Sequence, residues 1–201
     1  MENHRTGDEA IEFHGKKIGY KLNDFWGWGF SDLLNNTLRG AYCEYIVANA
    51  LDLDLRGCRK DWTPWDLSMP HQWRNGETVH DEIHIEVKSG AYLQSWDQKK
   101  LSRIQFMISP TFAWKELSGY EEVSRRQSDV YVFGLYKVLD KEKANPLILD
   151  GWEFYILPTR ILDTVCGKQK SISLNSIKKL GPIITDYQGV KTAVIKCTHV
   201  E

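Results

Sequence analysis

Glu44, Asp66, Glu86 and Lys88 are residue types that can supply what hydrolysis of a phosphodiester bond needs. The reaction needs a charge sink for the phosphorane-like transition state, a deprotonated water, and correct placement of both. Carboxylates are hard oxygen ligands that hold Mg²⁺ while it keeps several of its waters. An ammonium beside the metal orients the attacking water and offsets developing charge. Glu86 and Lys88 stand two residues apart, so on a strand they share one face while the Val87 carbonyl projects along the sheet. Asp66 lies 20 residues before Glu86, a separation suited to a hairpin partner. Glu44 falls in an otherwise apolar helical face, where an unpaired charge costs several kcal/mol.

These residues need particular elements to hold them. Ile83, Ile85 and Val87 alternate with Glu82, His84, Glu86 and Lys88, which is the period of a half-buried strand. Asp66 in Pro64-Trp65-Asp66-Leu67 opens a second predicted strand over Trp65 to Met69, followed by the turn Asn75-Gly76. Ser31-Asp32 reads as a helix start, and no proline follows before Pro64, so a helix is expected from 31 to 51. Leu34, Leu38, Ala41, Tyr45 and Ala48 form one stripe, widened by Cys43, Ile46, Val47, Ala50 and Leu51. Ile104, Phe106 and Ile108 alternate before Pro110, and 129–138 and 152–157 are apolar on both faces, as central strands are. Helices are expected after Pro158 and over Leu174 to Leu180, ended by Gly181-Pro182, with a last strand near Thr192 to Lys196.

A chain of 201 residues supports one sizeable core, so a single domain over 1–201 is expected, with 1–25 a loose lead-in holding one short strand near Ile18 to Leu22. Its composition is that of an ordinary globular protein and excludes collagen-like, disordered and disulfide-stapled classes. Net charge is −1, so any nucleic-acid surface must be local. Basic clusters stand at Arg56/Arg59/Lys60, Lys99/Lys100/Arg103 and Arg125/Arg126, and count only if they converge on a site. Cys43, Cys58, Cys166 and Cys197 show no C-x-x-C spacing, no signal peptide is evident, and no apolar run nears the ~20 residues that cross a bilayer. A reducing cytoplasmic setting without a membrane is therefore expected. Eight tryptophans are mostly explained by core filling and loop anchoring, with base stacking the sharper reading.

Gly40-Ala41-Tyr42-Cys43-Glu44, Pro64-Trp65-Asp66-Leu67 and Ile85-Glu86-Val87-Lys88-Ser89 together resemble the PD-(D/E)XK, or restriction-endonuclease-like, nuclease superfamily. The resemblance implies an α/β fold with a mixed sheet of about five strands flanked by helices. It also implies Asp66 and Glu86 as divalent-metal ligands joined by the Val87 carbonyl, Lys88 as catalytic lysine and Glu44 as accessory acid. Mg²⁺, replaceable by Mn²⁺, and a DNA substrate follow from the same likeness, and a homodimer is plausible because cutting both strands needs two active sites. The family commonly has Pro directly before the Asp, whereas Trp65 intervenes here, so Asp61 and Asp81 remain alternatives to Asp66. Gln94 and Gln98 follow the lysine at a spacing where some relatives carry a glutamine.

Plainer readings exist for each residue. Glu-x-Lys is what the solvated face of an amphipathic strand looks like. Glu44 is equally a buried acid paired with Arg39 or with an arginine of 56–60. His71, His80 and His84 lack the Cys/His spacing of a structural zinc site. The chief rival function is a catalytically inactive nuclease-fold module that grips nucleic acid or protein without cutting. In an unrelated α/β protein Asp66, Glu86 and Lys88 would lie far apart.

Overall fold

The computed structural model describes residues 4–59, 63–72, 78–112, 114–115, 119–120 and 122–198. In chain order these form β1 (Ala10–Phe13), β2 (Lys16–Lys21), α1 (Leu22–Phe30), α2 (Asn36–Ala50), β3 (Leu67–Gln72), β4 (Thr78–Ala91), β5 (Gln105–Met107), β6 (Trp114–Lys115), β7 (Gly119–Tyr120), β8 (Val130–Tyr136), β9 (Trp152–Pro158), α3 (Thr159–Cys166), β10 (Ser171–Ser173), α4 (Leu174–Lys179), β11 (Ile183–Thr185) and α5 (Val190–Thr198). The predicted turn at Asn75-Gly76 and the alternative Asp61 lie outside the described residues, as do the side chains of His71, His80 and Asp81.

Five strands form the central mixed sheet in the order β11-β9-β8-β4-β3. β4 and β8 run parallel, with Glu86 opposite Tyr131 and Lys88 opposite Phe133, while β3–β4, β8–β9 and β9–β11 are antiparallel. The β4–β8 crossover is not helical among its described residues. It is carried by extended chain and by β5, which pairs with β10. Every residue of β8 and nearly all of β9 are buried, because each face of the sheet is covered.

Two hydrophobic clusters do the covering. On one face Ile83, Ile85, Val87, Val130 and Val132 meet Cys43, Ile46 and Val47 of α2 and Val190, Val194 of α5. On the other, Tyr131, Phe133 and Leu135 meet Phe106, Leu162 and Ile177. Burying each such side chain contributes about 1.5–3 kcal/mol before chain entropy is counted. A Cβ at Gly134 would collide with Cys43 Sγ, so the missing side chain sets how closely α2 lies on β8.

The structure moves several expected boundaries. α2 begins at Asn36, and its N-cap is Asn35, whose Oδ1 accepts from Thr37 and Leu38 N–H. Ser31 instead ends α1. The buried face of α2 is made by Cys43, Ile46 and Val47 of the widening set with Ala48 of the expected primary stripe, whereas Tyr45 of that stripe is exposed. The lead-in is a β1–β2 hairpin turning at His14-Gly15, both at positive φ as a two-residue hairpin turn requires, followed by α1. Residues 192–196, expected as a strand, lie in α5, whose Val190, Ala193, Val194 and Cys197 are buried at helical spacing.

Candidate active site

Asp66, Glu86 and Lys88 are brought together where β3 meets β4. Asp66 sits one residue before β3; its N–H donates to the Ile85 carbonyl at 3.1 Å, and its Oδ2 accepts from Val87 N–H at 2.8 Å. The carboxylate thus takes the place of a strand partner beyond the end of β3. Trp65 fixes the approach: its ring stacks on His84 with centroids 3.5 Å apart, and its indole N–H donates to Ser68 Oγ at 2.8 Å. A strand residue projects its N–H and C=O to the same edge, so the Val87 carbonyl also faces the Asp66 side.

Lys88 Nζ forms an ion pair with Glu86 Oε1 and stands 3.9 Å from Asp66 Oδ2. All three side chains are largely buried, with exposures of 21%, 19% and 29% for Asp66, Glu86 and Lys88. Burial raises the Glu86 pKa above the ordinary carboxylate value; Lys88 opposes the rise, and Asp66 and Glu44 add to it by like-charge repulsion. Burial by itself lowers Lys88, but Glu86, Asp66 and Glu44 outweigh it and hold the ammonium above its ordinary value. Tyr131, opposite Glu86 in the register, is likewise pushed up by burial and by Glu86.

Glu44 reaches the same neighbourhood from α2, close enough to act on Glu86 and Lys88. Its carboxylate is gripped in a fork by Arg59, Nε to Oε2 at 2.6 Å and Nη2 to Oε1 at 3.0 Å. That is the 56–60 arginine partner anticipated from sequence, and Arg39 is not involved. Glu44, Arg59, Trp65 and Asp66 line an open cleft of about 1000 Å³.

The donors fit a hard divalent cation in chemistry. Among the described residues three carboxylates, Glu44, Asp66 and Glu86, stand with Lys88 and Arg59, and Glu86 is held buried at some cost beside Asp66. Among the described residues no three His, Cys, Asp or Glu side chains converge as a ligand cage. Two carboxylates and one carbonyl suit Mg²⁺, which keeps several waters and uses one or two carboxylates.

The other candidates separate from this site. Arg126 is buried and structural, bonded to the Ile108 carbonyl at 2.9 Å and to Asp163 at 2.7 Å. His84 lies between Glu82 and Asp129. All four cysteines are free. No helix among the described residues is long and apolar enough to cross a membrane. The sequence offered Arg39 only as a partner for Glu44, whereas it is 4% exposed and stands apart from that acid; a cation in a helical face that also carries Cys43, Ile46 and Val47 was the available signal.

No family model, no curated protein and no solved structure matches this chain.

Proposed function

We propose that this chain is a divalent-metal-dependent nuclease of restriction-endonuclease-like type, hydrolysing DNA phosphodiester bonds. The observation that carries the reading is the convergence of Asp66, Glu86 and Lys88 at one end of the β3–β4 pair. Asp66, Glu86 and the Val87 carbonyl would hold Mg²⁺, or Mn²⁺ in its place. When bound, the ion supplies a charge sink and an acidified water.

The chain's own groups do the rest. Lys88, kept protonated by its carboxylates, donates to the attacking water and to the non-bridging phosphate oxygen that gains charge. The Val87 N–H bond fixes the Asp66 carboxylate, so little reorganisation is left for the reaction. Arg59 orients Glu44 at the rim of the cleft, where the acid adds negative potential without entering the ligand set.

The test is single-turnover cleavage of a plasmid and of short duplexes. Mg²⁺ and Mn²⁺ are expected to support cutting, and Ca²⁺ to support binding with little cutting because its looser coordination positions water poorly. Undiminished cutting in excess chelator removes the mechanism. Pure protein that binds DNA with Mg²⁺ or Mn²⁺ yet never cuts any substrate makes the chain a binding module on the same fold.

A further inference from the structure

Beyond the end of β3, β4 continues from Val87 to Ala91 with β8 as its only paired strand among the described residues, and along this open edge lies a second cavity, of about 380 Å³. Its walls include Arg39, Gln94, Ser102 and Arg103, with Trp96 at the rim. From Lys88 to its Gly90 floor is two strand residues, about 7 Å.

Arg39 is buried, and among the described residues it has no counter-charge. Its guanidinium donates to the Leu34 carbonyl at 2.9 Å, Gln94 Oε1 at 3.4 Å and Asn36 Oδ1 at 2.6 Å, all neutral acceptors. Nε has no partner. Among the described residues no carboxylate pairs with it, and burial lowers its pKa with only the Cys43 thiol opposing. A buried, unpaired guanidinium is expensive, so the fold retains it against a cost that a bound anion would offset.

Ser102 points to the same ligand. A hydroxyl has one hydrogen and two lone pairs. Ser102 Oγ accepts from Gln94 Nε2 at 3.3 Å and from Gln98 Nε2 at 3.0 Å, which leaves its hydrogen to donate elsewhere. The amides of Thr37 and Leu38 at the start of α2 are taken by Asn35, so positive charge here comes from arginine and not from the helix end. Donors without a carboxylate, in a polar cavity large enough for a phosphate with part of its sugar, define an oxyanion site.

We infer that Arg39, Ser102 and Arg103 bind a phosphate group, the backbone phosphate of a nucleic-acid strand lying along the open edge of β4 with its scissile bond at Lys88. That the phosphate belongs to a strand rests on the nuclease reading; that an oxyanion binds here does not.

Calorimetric titration of the full chain in EDTA separates the two, since nothing is cut. One arm uses inorganic phosphate. The other uses single-stranded oligonucleotides carrying one neutral methylphosphonate linkage, moved along the strand. Losing a hydrogen-bonded charge contact costs about tenfold or more in affinity, so Arg39→Gln is expected to weaken phosphate binding by that factor. Gln94→Glu places a carboxylate beside Arg39 and is expected to exclude phosphate, which keeps the test readable should Arg39→Gln fold poorly. One neutral linkage should cost the wild type more affinity than it costs the Arg39 variant, which keeps only Ser102 and Arg103; that difference is the signature of a shared contact. Arg39-dependent phosphate binding without any linkage effect keeps the oxyanion site and removes the strand from it. No phosphate binding by the wild type, or equal affinity in all the folded proteins, overturns the site.

Discussion

In the proposed nuclease reaction Lys88 and Glu86 divide the chemistry, and each can be tested separately. On that proposal Lys88 acts mainly in the transition state, so Lys88→Ala is expected to lower single-turnover cleavage by on the order of 10²-fold or more with DNA affinity nearly unchanged. A matching fall in affinity would place it in binding instead. Glu86 makes a claim about pH. Its carboxyl is raised above its ordinary value of 4.5, first by burial and then by Asp66 and Glu44. The folded state therefore holds this proton more tightly than the unfolded chain does. The Glu86 contribution to stability is fully present below about 4.5 and is lost as pH rises through the raised value. In EDTA, the Tm of the wild type relative to Glu86→Gln should fall as pH climbs from 4.5. Mg²⁺, binding only the folded wild type, should reverse the trend. Parallel Tm profiles for the two proteins, with and without Mg²⁺, would remove Glu86 from the metal site.

The sheet positions these residues through one close approach. Gly134 of β8 leaves room for Cys43 of α2, so the helix that carries Glu44 sits directly on the strand beside β4. Gly134→Ala should destabilise by about 1–3 kcal/mol through overpacking, and Cys43→Ala in the same chain should recover part of that loss in a denaturant double-mutant cycle. Simple additivity would mean that α2 does not rest on this contact. Much of this frame was legible beforehand. The alternation at 83–88 fixed which face Glu86 and Lys88 share, and the all-apolar runs of β8 and β9 marked the sheet's centre. What was not legible depended on distant partners. Asn35 and not Ser31 caps α2, and Ser31 closes α1; serine and asparagine are about equally good N-caps, so local preference does not separate the two positions. The residues of α5 include Val190, Thr192, Val194 and Ile195, β-branched side chains that locally favour a strand, and burial against β8 and β9 overrides that preference. Arg59 as the partner of Glu44 was open among several arginines, because a 15-residue separation carries no register.

A protein of net charge −1 has no general attraction for DNA, so any affinity must come from charges at the cleft. Of the basic clusters, Arg56 and Arg59 line the larger cavity beside Asp66, while Lys60 lies outside the described residues, and Arg103, close in sequence to Lys99 and Lys100, lines the smaller cavity at the other end of the open edge of β4. Arg126, tied into the interior, contributes nothing to this surface. Arg56 and Arg59 already face Asp54 and Glu44, so their net pull on phosphate is weakened, and the stronger grip should come from the 99–103 segment. Each phosphate neutralised by a lysine or arginine of that segment contributes about −0.9 to the slope of log K against log salt on duplex DNA, and about −0.7 on single strands. Replacing Lys99, Lys100 and Arg103 together by alanine should therefore flatten the slope by about two to three on duplex DNA. Affinity should drop alike on every sequence, while the cleavage rate of DNA bound at saturation changes far less, because Asp66, Glu86 and Lys88 remain in place. The same substitution should cut more deeply at low salt, where surface charges are least screened. A salt slope identical to that of the wild type would mean that the strand does not run along the open edge of β4.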